Sequence, residues 1–300
     1  MAFKLPDLSN PVPLTDWYKD TMPELPGAQP DLVLHHIRNA VIQLCEESRI
    51  STVTVSDSIV EDQFEHEILD PEDGETEIAG IVVVKRENVP LDPTSEIELE
   101  QEGAWVDQAG SPTKWFRSQF NAIQLYPIPN YSDESTTLSS GYGPSDTAFT
   151  VADASEFPSL SANQFFIAGV TDTNGDREAV KVTETDGNDL TLERAQEGSS
   201  ALTFLSGDVF QRMSLSVKVA LRPTLEATNV ESQFFKEYRL QVAAGAKSAL
   251  MLMKNKPWSD PSMGDYYQGV FEKGTGRARV SAIKSRGNKS LRVKTRTFGY

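Results

Sequence analysis

The chain has 300 residues, 38% of them hydrophobic, enough to bury one large core or two ordinary ones. Its net charge of −16 is uneven: residues 213–300 carry 16 Lys and Arg against 6 Asp and Glu, and residues 1–212 carry 12 against 38, so two surfaces with different partners are expected. The single cysteine, Cys45, excludes an intrachain disulfide, the opening MAFKLPDLSNPVPL lacks a signal-peptide apolar stretch, and the best apolar run, IAGIVVVK, has a strand's length, so a soluble chain made in a reducing compartment is expected.

Residues 1–30 hold six prolines (Pro6, Pro11, Pro13, Pro23, Pro26 and Pro30), which predicts an extended arm anchored through Trp17 and Tyr18. Residues 31–49, DLVLHHIRNAVIQLCEESR, repeat apolar residues at Val33/Leu34, Ile37, Ala40/Val41 and Leu44/Cys45, the spacing of a helix, with Asp31 as its N-cap. Adjacent His35 and His36 point in different directions on such a helix and do not make a metal pair.

Residues 50–128 read as β-structure. STVTVSDSIV, EHEILD, IAGIVVVKREN, EIELEQ and NAIQLYPIP are rich in β-branched residues or alternate apolar with polar. Between Ser51 and Gly110 stand 17 acidic residues and only Lys85 and Arg86 as bases, a solvated negative face. His66, inside FEHEI, is expected to be a solvated neighbour of Glu65 and Glu67. Residues 130–145 read as a polar linker. Residues 146–212 then hold short strands (TAFTVAD, QFFIAGV, REAVKVTE, DLTLER and GDVFQR) with the hairpin signals TNGD and TDGND between them. Even spacing predicts a small barrel or sandwich, inserted at 137–212. MSLSVKVALR resembles NAIQLYPIP, and the two are expected in one sheet of a discontinuous core, 31–136 and 213–285.

A helix is predicted over 231–253, with Phe234/Phe235, Tyr238, Val242, Ala246, Ala249/Leu250 and Met253 on its broad face. Ala243, Ala244, Gly245 and Ala246 make it slim enough for another helix to approach closely; with Ala249 and Tyr238 they are the expected subunit-packing residues. Pro257 stops it, Asp260 and Pro261 are N-cap and N1 of a last helix, and Gly264, Gly269, Gly274 and Gly276 predict a kink or early end there.

Motifs for chemistry are sparse. EKGTGRAR follows no strand and lacks the Walker spacing. Asp172, Asn174, Asp176 and Glu178 alternate like a calcium loop, but Gly175 is out of register and no bidentate Glu follows, so a hairpin turn is the better reading. None of His35, His36 or His66 sits in the Gly-rich context of Ser–His catalysis. No catalytic residue, metal ligand or cofactor is predicted, and the chain is not expected to be an enzyme.

From Lys273 onward the chain carries Lys273, Arg277, Arg279, Lys284, Arg286, Lys289, Arg292, Lys294 and Arg296 with no acid; Phe298 and Tyr300 could anchor its end. Such cations suit phosphates or an acidic protein groove equally.

Five stretches, LPGAQPDLVLHHIRNAVIQLCEESRI, NAIQLYPIP, VALRPTLEATNVES, EYRLQVAAGAKSALMLMKNKPWSDP and YYQGVFEKGTGRARVSA, are similar, in the same order, to phage head–tail connector (adaptor) proteins of the portal-docking ring family, which the chain resembles over about 1–130 and 213–285. The resemblance implies an α+β fold, a helical bundle with an antiparallel β-sheet or sandwich, to which 137–212 adds a small β-barrel or sandwich. It implies a structural virion protein at the head–tail neck, made in the host cytoplasm, without cofactor or membrane contact. A homo-oligomeric ring, commonly of about twelve copies (a dodecamer), would extend the DNA channel under the portal protein, carry tail tube, nozzle or fibre proteins, and let DNA pass unbound during ejection. Docking on the portal is expected from the basic residues above and the 286–300 tail. Two other readings are open: a nucleic-acid-binding virion protein gripping DNA in the channel, and a virion hydrolase or glycan-binding tail component using 137–212.

Overall fold

The computed structural model describes residues 2–4, 10–101, 103, 107–119 and 121–286. Its helices are α1 (Tyr18–Thr21), α2 (Pro30–Ser48), α3 (Glu96–Gln101), α4 (Ser232–Glu237), α5 (Arg239–Met251) and α6 (Pro261–Arg286). The fold is mixed α+β, and the chain divides into two compact units. The first comprises Met1–Asp7, Val53–Glu72 and Gly80–Val219, and the second Leu8–Thr52, Asp73–Ala79 and Ala220–Tyr300. This division groups 53–72 and 80–136 with 137–212, unlike the expected core of 31–136 and 213–285.

The first unit holds a five-stranded sheet in the order Ala2–Lys4, Glu65–Leu69, Ala122–Tyr126, Lys114–Gln119, Asp92–Pro93. Its six-stranded sheet runs Ser135–Thr137, Val209–Met213, Phe166–Thr171, Arg177–Asp186, Asp189–Gln196, Ala148–Thr150. This sheet curls until its two edges touch at the Leu138–Val151 bridge, where Ser139 N–H donates to the Thr150 carbonyl (2.9 Å) and Ala152 N–H to that of Thr137 (2.8 Å). Alternate residues point inward, so Phe149, Phe166, Val180, Val182, Leu190, Leu192, Phe204 and Phe210 share one apolar core. The hairpin turns fall where Asn-Gly and Asp-Gly predict them: Gly175 has φ +90° and Gly187 φ +60°. Asp172 accepts from Asn174 N–H (2.9 Å) and Asp176 N–H (2.8 Å), a turn built by its own side chain.

Two expectations about the strands are corrected. EIELEQ is helix α3, not a strand, because a capping box starts it: Glu98 N–H donates to Ser95 Oγ (3.3 Å) and Ser95 N–H to the Glu98 carboxylate (3.2 Å). NAIQLYPIP and MSLSVKVALR do not share a sheet. Ala122–Tyr126 pairs with Glu65–Leu69 and Lys114–Gln119, whereas Leu215–Pro223 lies between Thr52–Asp57 and Thr76–Arg86 in a four-stranded sheet that Val89–Pro90 completes. Similar alternation gives two strands similar faces, not a shared partner.

The second unit is helical around one core. Helix α2 buries Val33, Ile37, Ala40, Val41, Leu44 and Cys45. Its N1 residue is Pro30, which puts Asp31 inside the first turn rather than at the cap. Residues 10–30 are anchored as expected through Trp17 but are not an extended arm. Pro11–Pro13 pairs with Asn229–Glu231, Leu14–Glu24 form short helical turns, and Leu14, Trp17 and Leu25 are buried in the helical core. Trp17 Nε1–H donates to the Arg239 carbonyl (3.1 Å) and Tyr18 O–H to that of Pro30 (3.1 Å). Proline restricts φ without preventing burial, and three large apolar side chains outweigh it. The predicted helix over 231–253 is two helices: Tyr238, at φ −120° and ψ 16°, leaves the helical region between α4 and α5 and turns its ring into the core.

Candidate docking surface

Helix α6 opens as predicted, Asp260 Oδ1 accepting from Met263 N–H (3.1 Å), but runs unbroken through all four glycines to Arg286. Two of them, with one on α5, let helices approach where a side chain would not fit. A Cβ on Gly245 would stand 2.8 Å from the Phe271 ring and 3.0 Å from Ala40 Cβ; one on Gly264 would stand 2.9 Å from Leu252, and one on Gly274 would overlap Gln241. Close packing along α5 and α2 offsets the glycines' poor helix propensity, of order 1 kcal/mol each. The inward face of α6 presents Phe271, Gly274, Thr275, Ala278 and Ala282, all buried.

The outward face carries Lys273, Gly276, Arg277, Val280, Ser281 and Lys284 around one shallow concavity. Arg279 is exposed on another side of the helix. Three other cations of this unit are held in ion pairs within it. Arg239 makes a two-pronged ion pair with Asp20 (2.5 and 2.7 Å), Arg222 pairs with Glu77 (2.8 Å) and Glu46, and Lys247 pairs with Glu24 (2.7 Å). Lys273, Arg277, Arg279 and Lys284 make no ion pair or hydrogen bond with a described residue.

Higher on the same helix, Tyr266, Tyr267 and Val270 border a cleft closed by Lys19, Asp20, Pro23 and Glu24 and floored by Ala243 and Ala244. Tyr267 hydrogen-bonds Glu24, which together with burial pushes its phenol up to about 12. Lys247 Nζ lies 4.9 Å from the Tyr267 ring centroid while bonded to the same Glu24. The cleft was hidden in the sequence because its near wall is the segment read as an arm.

Of the predicted docking residues, the structure brings Lys273, Arg277 and Lys284 onto one face and leaves Arg279 aside. Arg286 ends α6; Lys289, Arg292, Lys294, Arg296, Phe298 and Tyr300 lie outside the described residues. Of the predicted subunit-packing set, Tyr238, Ala243, Ala244 and Ala246 are buried within the chain's own unit, Gly245 meets Phe271 and Ala40, and Ala249 alone is exposed. The slim stripe of α5 receives helices of the same chain.

In the first unit His66 is fully buried, not solvated. Its Nδ1 lies 3.6 Å from Asp57 Oδ2, and Arg177 Nη1 donates to Asp57 Oδ1 (2.8 Å). Burial would raise the Asp57 carboxyl, but the adjoining His66 ring and the charge and hydrogen bond of Arg177 outweigh it and hold it below the usual range. Nearby, buried Glu178 takes both prongs of Arg194 (2.6 and 2.7 Å) and the N–H groups of Ala195 (2.9 Å) and Leu202 (2.8 Å). The Glu178–Arg194 cluster reads as satisfied buried charge that fixes the sheet. Among the described residues no group of three or more His, Cys, Asp or Glu is placed to hold a metal ion, and no helix is long and apolar enough to cross a membrane.

No family model matches the chain, and no curated protein does. The identity expected from the resemblance (viral, phage, neck connector, dodecameric ring, DNA ejection) is corrected on that finding: no matching family model or curated protein attaches it to this chain. The resemblance rests on short stretches, and a helix start, a strand and a glycine-rich helix are devices that unrelated folds also use.

Proposed function

We propose that the chain is a structural adaptor without catalytic chemistry, joining two larger protein assemblies through α6 and the basic segment after it. One observation carries this reading: three cations, Lys273, Arg277 and Lys284, stand together on one exposed face without an ion pair to any described residue, while Arg222, Arg239 and Lys247 of the same unit are neutralised internally. Unpaired cations on a rigid helix complement an acidic surface and steer its approach. The acidic remainder of the chain repels nucleic acid, which makes a protein partner the better fit.

The test is a variant with Lys273→Gln, Arg277→Gln and Lys284→Gln, introduced where the chain is naturally produced. The expected outcome, read by electron microscopy and particle composition, is that the larger assemblies form separately and fail to join. Normal joining by the variant rules the docking role out. Should the isolated wild-type chain instead hold a short DNA duplex with affinity that falls steeply with salt, nucleic acid is the partner.

A further inference from the structure

On α6 the residues Met263, Tyr266, Val270, Lys273, Arg277, Val280 and Lys284 follow one another in alternating steps of three and four. That is the spacing of a coiled-coil seam, which keeps one stripe of a helix turned toward a partner helix. Met263, Tyr266, Lys273, Arg277, Val280 and Lys284 are exposed and Val270 is half-buried, so the described residues leave this stripe uncovered. Two concavities follow it: the cleft floored by Ala243 and Ala244 beside Tyr266 and Val270, and the shallow one from Lys273 to Lys284. Together they extend about 30 Å at a helical rise of about 1.5 Å per residue.

We propose that this stripe is the seat of one acidic amphipathic helix from a partner protein, packed along α6 with its carboxylates against Lys273, Arg277 and Lys284. The inference rests on the adaptor reading above and specifies how its partner is held. Charge selects the occupant. A second copy laid parallel on the same stripe would set these cations against one another, and an antiparallel one would lay them over Met263, Tyr266 and Val270 with no counter-charge. A nucleic-acid backbone would engage the cations but leave Met263, Tyr266, Val270 and Val280 with nothing apolar to cover them. An acidic helix with apolar residues at the same spacing satisfies both halves, and the small side chains of Ala243 and Ala244 let it sink at the upper end.

The test uses the full chain and a synthetic helical peptide three heptads long, with Leu at the seam positions and Glu flanking them, measured by fluorescence anisotropy. Three variants are compared: Arg277→Gln and Val280→Ser on the stripe, and Arg279→Gln off it with the same loss of charge. All three sites are exposed, and circular dichroism checks that α6 stays helical. The expected result is that Arg277→Gln and Val280→Ser each weaken peptide binding about tenfold while Arg279→Gln changes it less than about threefold. Equal losses from Arg277→Gln and Arg279→Gln overturn the seam and leave docking by diffuse charge standing. No peptide binding by the wild-type chain overturns the seam as well, whatever the joining experiment shows. Self-association abolished by Val280→Ser, or a duplex competing the peptide away, overturns it in favour of a second copy or of nucleic acid.

Discussion

At Gly245 a single absent methyl group decides how closely α5, α6 and α2 can meet. Adding it sets helix propensity, a gain of up to about 1 kcal/mol, against overpacking, a cost of about 1–3 kcal/mol. The neighbours are the buried ring of Phe271 and the Cβ of Ala40, neither of which can swing aside, so overpacking wins. Gly245→Ala is expected to destabilise by about 1–2 kcal/mol. Gly269→Ala, where a Cβ meets nothing within 4 Å, is expected to stabilise by about 0.5–1 kcal/mol. Urea midpoints of the two variants, moving in opposite directions, check the pair. The glycines themselves were legible in the sequence but their meaning was not: propensity alone reads Gly264, Gly269, Gly274 and Gly276 as the end of a helix, and only the facing side chains turn two of them into contact points.

Among elements, the strand Asn229–Glu231 is held by one carboxylate. Glu75 accepts from the backbone N–H groups of Thr228 (2.6 Å) and Asn229 (3.0 Å), from Thr228 Oγ1 (2.7 Å) and from Asn229 Nδ2 (2.9 Å). Burial by itself would raise the Glu75 carboxyl, but these donors outweigh it and hold it below the ordinary glutamate value. A depressed carboxyl stabilises the fold when ionised, so its contribution is complete above the unfolded value near 4.3 and disappears as pH falls through the folded value below it. Glu75→Gln is therefore expected to cost about 1–2 kcal/mol at pH 7, and its difference from wild type to shrink below pH ~4. Chemical unfolding of both proteins across that range measures it. Periodicity located α2, the long strands and the start of α6, since each depends on its own residues. It missed Lys114–Gln119 and mistook α3, where one capping box outweighed an alternating pattern, and it could not foresee the break at Tyr238. Of the docking stripe, the cations were visible and their arrangement was not, because the predicted early end of α6 hid the seam.

For the whole molecule, neither compact unit is one continuous stretch of chain, yet residues 133–214 close on themselves. Arg212 N–H donates to the Glu134 carbonyl (2.9 Å), the Arg212 guanidinium grips the Glu134 carboxylate (3.1 Å), and Asp133 accepts from Ser214 N–H (2.9 Å). With both ends clamped and the Phe149, Phe204 and Phe210 core wholly inside, the fragment 133–214 is expected to fold alone as a β-protein. Circular dichroism with a single cooperative thermal transition supports this, and a featureless spectrum removes it. The strands of this region were legible in the sequence because its hairpins are local. Sequence pattern placed the sheet partners of 50–128 poorly, because they come from distant parts of the chain and no local signal specifies which strand meets which.

Cys45 is fully buried on α2, and its surroundings push the thiol well above its ordinary value. Since no other sulfhydryl exists in the chain, a maleimide dye has nowhere to react on the native protein. Any cysteine engineered onto the exterior thus becomes the sole labelling point, and distance or mobility probes can be installed site by site without first removing the natural one.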